Sequence, residues 1–231
     1  MKNLAFKTAF PYTLPVLMGY LFLGIAFGVL LNSKGFGPVW AFAMSLLIYA
    51  GSMQFVAINL LVSPFQLAAA FFITLMVNAR HLFYGLSMLD KFKSLGRLKP
   101  YMMFSLTDET FSLLSTIKAP DNVSPKWFMF FIALLNQGYW IAGSLIGNIA
   151  GSLVSFNSTG IDFAMTALFI VIFVEQWEHA KNHIPAVLGI VMTALCLIVF
   201  GSDRFILFAM AGILISLSLL RGKLHAKESE S

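Results

Sequence analysis

Residues 78–87 read Asn78-Ala79-Arg80-His81-Leu82-Phe83-Tyr84-Gly85-Leu86-Ser87 and place an arginine inside a long apolar segment. No charged residue occurs between Phe65 and Val77, and the apolar pattern continues beyond the arginine to Leu89. A segment of roughly 25 residues is long enough to cross a bilayer. An ionisable side chain at that depth is costly in lipid, so Arg80 should face the protein interior or an aqueous path and should have a partner. Arg80 is therefore the first candidate for a functional residue.

The composition is typical of a helical membrane protein. Hydrophobic residues make up 59% of the 231 residues and charged residues only 11%, with a mean hydropathy of +0.85. Soluble domains contain about 25% charged residues. We therefore predict an all-α polytopic membrane protein that forms a single transmembrane domain over residues 1–231, and nothing in the sequence suggests nucleic-acid binding. The one cysteine, Cys196, lies in an apolar run, so we expect a core residue and no intrachain disulfide.

Apolar segments follow one another closely and predict about seven transmembrane helices. These spans are residues 12–31, 39–62, 65–89, 127–154, 163–175, 184–200 and 205–220. Residues 101–117 are apolar only in part, because polar and acidic side chains occupy their middle. We expect an interfacial or re-entrant helix there, and a cytoplasmic tail at residues 221–231.

The basic residues predict an orientation. If the N-terminus is outside and residues 101–117 do not cross, eleven of the 15 basic residues fall on one side of the membrane. Only Lys2, Lys7 and Arg204 fall on the other side, with Arg80 inside the membrane. Because cytoplasmic loops carry an excess of Lys and Arg, this count predicts an outside N-terminus and a cytoplasmic C-terminus.

Two segments share a glycine spacing. It is Gly19-Tyr20, Gly24 and Gly28 in the first segment, and Gly138-Tyr139, Gly143 and Gly147 in the fourth. The segments that follow them also begin alike, with Phe42-Ala43-Met44-Ser45 and Phe163-Ala164-Met165-Thr166. We therefore predict an inverted repeat of three helices, about residues 12–89 and 127–200, plus one extra helix at 205–220. The copies would then run through the membrane in opposite directions.

Small residues on one helix face allow two backbones to approach closely. Gly24 and Gly28 in the first segment, and Gly143, Gly147 and Gly151 in the fourth, are accordingly predicted helix-packing residues. The packing partner is either a helix of this chain or a helix of another chain.

Polar residues within the apolar segments are candidates for substrate binding. Ala50-Gly51-Ser52-Met53-Gln54 interrupts the second segment, and a broken helix exposes backbone groups where it lines a cavity. An arginine can grip a carboxylate through two hydrogen bonds, although Arg80 could instead form a buried ion pair with Asp108 or Glu109. The candidate substrate-binding residues are Gly51, Ser52, Gln54, Asn78, Arg80, Tyr84, Asn136 and Gln137.

Acidic and histidine residues suggest further roles. Asp108 and Glu109 are candidates for proton coupling, with a solvated interfacial face as the alternative. Glu175, His179 and His183 recur every four residues as metal ligands can, but no fourth ligand is apparent, so we expect an interfacial polar cap and no metal or cofactor. The chain also lacks His-Glu-x-x-His and Gly-x-Ser-x-Gly motifs, so we do not expect an enzyme.

Three motifs together resemble a known family. Ala50-Gly51-Ser52-Met53-Gln54-Phe55, the sequence at residues 78–87 and Thr107-Asp108-Glu109 occur in this order. They are similar to the AzlC-type large subunit of bacterial branched-chain amino-acid exporters. The resemblance covers about residue 10 to the end of the seventh segment.

This resemblance implies several functional properties. They are export of leucine, isoleucine and valine, with methionine as a further candidate, proton-driven secondary transport, a location in the bacterial cell membrane, and a small AzlD-type membrane subunit encoded next door. The glycine faces would be docking surfaces for that subunit. A passive channel or a transporter for another small amino-acid-like solute is the alternative.

Overall fold

The computed structural model describes residues 2–64, 66–153, 170, 173–174, 177–178, 183–201, 205, 208–209, 211–213, 215–217 and 219. The chain divides into two compact units, residues 1–162 and 163–231, and each is considered by itself. Within the described residues every regular element is a helix, as the composition predicts.

The first unit is built on two long helices that pack face to face. Helix α1 spans Lys2–Ser33 and helix α8 spans Pro125–Leu153. A Cβ atom added to Gly28 would lie 2.1 Å from the Ser144 carbonyl oxygen. One added to Gly147 would lie 2.1 Å from the Ile25 carbonyl oxygen. The glycine faces therefore contact each other within the chain and are not free to dock a second subunit.

Helices α1 and α8 run in the same direction. The Phe6 ring packs on Phe131 near their beginnings, with 5.4 Å between ring centroids. Near their ends Gly151 lies against Asn32, since a Cβ atom added to Gly151 would lie 3.3 Å from the Asn32 Cβ. The opposite orientation that the inverted repeat requires is therefore wrong for this pair. A glycine spacing predicts which face packs, but it carries no information about direction.

The chain after α1 forms two short helices with a break between them and not one continuous helix. Helix α2, Pro38–Leu47, begins near the end of α8, where Asn148 Nδ2 donates to the Phe36 carbonyl oxygen at 2.9 Å. It reaches the middle of α8, where Gln137 Nε2 donates to the Leu46 carbonyl oxygen at 3.2 Å. The helix ends there, and Tyr49 has a positive φ of 43°.

Helix α3, Gly51–Val62, follows that break. Gln54 Nε2 reaches Ser45 Oγ of α2 at 3.5 Å, and the Phe55 ring packs against Phe27 of α1 at 5.5 Å. With 10 and 12 residues, neither helix is long enough to cross a bilayer. The predicted span at residues 39–62 is therefore not confirmed, whereas its predicted interruption is confirmed.

Two further segments are interrupted. Helix α4, Leu67–Val77, and helix α5, Ala79–Phe92, meet at Asn78. The axis of α4 is bent by 48° from that of the helical stretch 79–104, which also contains a short 3₁₀ helix at Lys93–Leu98 and α6 at Lys99–Phe104. Residues 105–107 then separate α6 from α7, Asp108–Thr116. Residues 99–116 thus form two short helices where the sequence predicts one.

The basic residues gather at one end of the α1–α8 pair. Lys2 Nζ lies 4.3 Å from the centre of the Trp127 ring, and Lys126 Nζ lies beside Gly96, 3.8 Å from where its Cβ would be. We call this end, which holds Lys2 and Lys126, the basic end. Eight basic residues lie on the helices and loops that pack together at this end: Lys2, Lys7, Lys91, Lys93, Arg97, Lys99, Lys118 and Lys126. The predicted separation of Lys2 and Lys7 from this group is therefore wrong.

The number of spans is lower than predicted among the described residues. Helices α1 and α8 are long and apolar enough to cross a membrane, and the bent pair 67–77 and 79–104 can form a third span. The predicted span at 163–175 lies mostly outside the described residues and the one at 205–220 is described only in part, so the count of seven is not confirmed.

In the second unit the described helix is α9, Ile184–Phe200, which covers the residues of the predicted sixth span but is shorter than the helices that are long enough to cross a membrane. Cys196 is buried on it, as expected. Glu175 and His179 lie outside the described residues, and His183 stacks on the Trp177 ring at 4.3 Å. In the described parts of the chain, no group of three or more His, Cys, Asp or Glu side chains could hold a metal ion.

Candidate functional site

Three interrupted segments place helix beginnings around Arg80. Helix α3 begins at Gly51, α5 at Ala79 and α7 at Asp108. Arg80 Nη2 donates to Ser52 Oγ of α3 at 3.2 Å and pairs with Asp108 Oδ2 of α7 at 2.9 Å. Helix N-termini present unpaired N–H groups and a partial positive charge. The surroundings of Arg80 are therefore suited to an anion.

The ion pair between Arg80 and Asp108 is incomplete. Only one nitrogen of the guanidinium bonds to one carboxylate oxygen. Arg80 Nε and Asp108 Oδ1 are both buried and have no hydrogen-bond partner, and the same is true of Asn78 Oδ1. The two side chains are nevertheless 31% and 37% exposed as a whole. A further hydrogen-bonding group can therefore approach this pair.

The bend at Asn78 orients the residues of α5. Asn78 ends α4 with φ −97° and ψ 5°, outside the helical region. Its carbonyl oxygen lies 3.2 Å from His81 Nδ1. Tyr84 stacks on Phe111 of α7 at 4.4 Å and interacts electrostatically with Asp108. Arg80 and Tyr84 thus both contact α7.

A second polar cluster surrounds Glu109. Tyr20 Oη donates to Glu109 Oε2 at 2.6 Å and shares a hydrogen bond of 2.7 Å with Thr107 Oγ1. Thr107 caps α7 by accepting a hydrogen bond from the Thr110 backbone N–H. Asn136 Nδ2 of α8 donates to Thr110 Oγ1 at 3.0 Å, and its Oδ1 is buried without a partner. This cluster links α7 to both long helices.

Tyr49 belongs to the same region and is not among the residues that the sequence predicts. It is 3% exposed, its hydroxyl has no hydrogen-bond partner, and it interacts electrostatically with Glu109 and Tyr20. A positive φ is rare for a bulky residue, and such strain is found at functional sites. Tyr49 lies immediately before the predicted interruption at residues 50–54. This position is the sequence signal that could have identified Tyr49 as a site residue. Tyr20 lies within the quoted glycine motif, which by itself indicates only a packing face.

Three predicted substrate-binding residues make their contacts within the protein. Gln54 is fully buried and accepts a hydrogen bond of 2.9 Å from Trp140 Nε1. Gln137 accepts one of 2.8 Å from Tyr101 Oη. Gly51 lies against the Trp140 ring, 3.3 Å from where its Cβ would be. These contacts attach α3 and α6 to α8.

These features define a class of protein. Interrupted helices, with charged side chains inside an apolar helical protein, are characteristic of transporters and channels. In such proteins, non-helical backbone at membrane depth occurs where it is buried or lines a cavity.

Comparison with known proteins identifies the family. The profile of the AzlC protein family matches residues 15–154, which include all three motifs. The chain is 52% identical over 224 residues to "Branched-chain amino acid transport protein AzlC" of Bacillus subtilis strain 168, covering 97% of this chain and 88% of that protein.

More distant relatives are also membrane proteins by name. An "Uncharacterized membrane protein" of Helicobacter pylori strain 26695 is 48% identical over 221 residues, covering 96% of this chain and 97% of its own. "Inner membrane protein YgaZ" of Escherichia coli K12 is 28% identical over 178 residues, covering 74% of this chain and 72% of that protein. No solved structure matches. The chain belongs to the AzlC family, and the resemblance predicted from its motifs is confirmed.

Proposed function

We propose that this chain is the large subunit of a secondary transporter that exports branched-chain amino acids from the bacterial cell. Its substrates are leucine, isoleucine and valine, with methionine as a further candidate, and the proton gradient drives their export. A small AzlD-type membrane subunit completes the transporter. The name of the Bacillus subtilis relative supports the substrate class.

The observation that carries this proposal is the placement of Arg80. Its guanidinium lies where α3, α5 and α7 begin, beside Ser52 and Asp108. A substrate carboxylate would be bound by Arg80 and by the backbone N–H groups at the beginning of α3. Apolar side chains would contact the branched tail, and Asp108 or Glu109 would couple transport to protons.

Replacement of Arg80 by lysine tests the role of the guanidinium. Lysine keeps the positive charge but loses the planar, two-pronged donor. We expect Arg80→Lys to lower leucine export on the order of tenfold or more, with unchanged protein in the membrane. The measurement is efflux of labelled leucine from cells that also express the small subunit.

Arg97→Lys is the matched control, because Arg97 is exposed at the basic end. Its export should equal that of the unmodified protein. Unaltered export by Arg80→Lys would contradict a role for Arg80 in carboxylate binding.

A passive channel is the second candidate, because a pore also needs polar groups inside the membrane. A coupled transporter saturates with substrate and stops when the proton gradient is collapsed. Efflux that stays linear with leucine concentration and is insensitive to a protonophore would favour the channel.

A further inference from the structure

We propose that Arg80 and Asp108 are the two poles of a site for a zwitterion and pair with each other when no substrate is bound. Arg80 receives the carboxylate of an α-amino acid, and Asp108 receives its ammonium group. This inference rests on the proposed amino-acid transport and assigns Asp108 to substrate recognition.

The first reason to propose this site is that Arg80 and Asp108 each have a hydrogen-bonding group without a partner. An arginine and a carboxylate commonly form two parallel hydrogen bonds, but here Nη2 and Oδ2 form one bond of 2.9 Å. Arg80 Nε remains a buried donor and Asp108 Oδ1 a buried acceptor. Such groups are costly when they lack partners. A zwitterion supplies one acceptor group and one donor group, and so satisfies both.

The second reason is where the two residues lie in the structure. Arg80 lies in the first turn of α5 and Asp108 begins α7, and each follows an interruption of its segment. Both side chains remain partly exposed. The two charges are therefore held on separate helices, and a small solute can reach them.

Glu109 differs from Asp108 in a way that supports this assignment. Its carboxylate already accepts the hydrogen bond from Tyr20, whereas Asp108 Oδ1 accepts none. Besides the nearby Tyr84 hydroxyl, Asp108 thus has an acceptor that an ammonium group can reach, and Glu109 remains the candidate for proton coupling.

The site should require both charged groups of its substrate. 4-Methylpentanoate is leucine without the ammonium group, and leucinamide is leucine without the carboxylate. Each should compete with labelled leucine on the order of tenfold or more weakly than leucine does, because each loses one charged hydrogen bond.

Competition binding to the purified protein, with its small subunit, tests the assignment. In Asp108→Asn, leucine should bind more weakly than to the unmodified protein. The preference for leucine over 4-methylpentanoate should disappear, so that both ligands bind about equally well. If Asp108 only positions Arg80, the substitution lowers the affinities for both ligands equally and leaves the preference unchanged, which would overturn the proposal. Asp90→Asn is the matched control, since Asp90 is exposed and pairs with Lys93 at the surface. It should bind like the unmodified protein.

The unmodified protein provides a test that needs no variant. If it binds leucine and 4-methylpentanoate equally well, this inference is wrong while amino-acid transport stands. If it binds no branched-chain amino acid and exports none, the proposed function itself is wrong.

Discussion

Asp108 and Glu109 are adjacent in the chain, but their carboxylates have different partners. Asp108 pairs with Arg80 of α5, whereas Glu109 accepts a hydrogen bond from Tyr20 of α1. Successive residues of a helix point about 100° apart, so two neighbouring acids can serve two sites. The sequence predicts an acidic partner for Arg80 but leaves both acids open, because the choice depends on how α5 and α7 pack.

Glu109 is the residue at which we expect proton coupling. Glu109→Gln keeps an oxygen that can accept the Tyr20 hydrogen bond but cannot gain or lose a proton. Leucine export by this variant should no longer vary with the external pH, whereas the unmodified protein should respond. The measurement is efflux from cells at a series of external pH values.

Asp90→Asn again serves as the control, since it removes a carboxylate from the surface of the same unit. A pH profile of Glu109→Gln that matches that of the unmodified protein would show that coupling lies elsewhere.

At the scale of the elements, the packing of α1 on α8 depends on glycines. Gly28 and Gly147 leave no room for a side chain, because an added Cβ would lie 2.1 Å from a backbone oxygen of the facing helix. Gly19 and Gly138 belong to the same sequence motif, yet neither has an atom within 4 Å of its Cβ position. Only some glycines of the motif therefore act in packing.

Alanine substitutions distinguish the two kinds of glycine. Gly28→Ala and Gly147→Ala should each lower the free energy of unfolding by about 1–3 kcal/mol, because the backbones must move apart. Gly19→Ala and Gly138→Ala are the controls and should be neutral or slightly stabilising, since alanine favours a helix. Thermal unfolding in detergent measures all four.

Equal melting temperatures for the four variants would contradict the close contact of α1 and α8. The control on α8, Gly138→Ala, lies in the same helix as Gly147, so the comparison excludes a general effect of alanine.

Only one of the two breaks in these segments is predicted from the sequence. The break at Gly51-Ser52 is predicted, whereas the break at Asn78 falls inside a predicted uninterrupted span, residues 65–89. Residues 39–62 are apolar enough to predict a crossing, but they form two half-length helices. A run of about 24 apolar residues can make one crossing or a hairpin that enters and returns, and hydropathy alone does not distinguish the two.

At the scale of the whole molecule, the basic end determines the orientation that we now expect for the first unit. Eight basic residues lie on elements that meet at this end, Lys2 and Lys126 among them. Because cytoplasmic loops are enriched in Lys and Arg, the N-terminus should lie in the cytoplasm. The sequence alone favours the opposite orientation, because the parallel packing of α1 and α8 cannot be read from residue spacing.

Cysteine labelling of intact cells tests this orientation. In a Cys196→Ser background, Asn3→Cys and Asn122→Cys should both be protected from a membrane-impermeant maleimide. Gly35→Cys, at the opposite end of α1, should be labelled. Labelling of Asn3→Cys with protection of Asn122→Cys would contradict the parallel arrangement.

Intracellular amino-acid pools test the central claim most directly. Cells that lack this chain, cells that express it, and cells that also express the AzlD-type subunit would be fed dipeptides containing leucine, valine or methionine. We predict that the pools of the free amino acids fall only when both subunits are present. Equal pools in all three strains would contradict export of branched-chain amino acids by this protein.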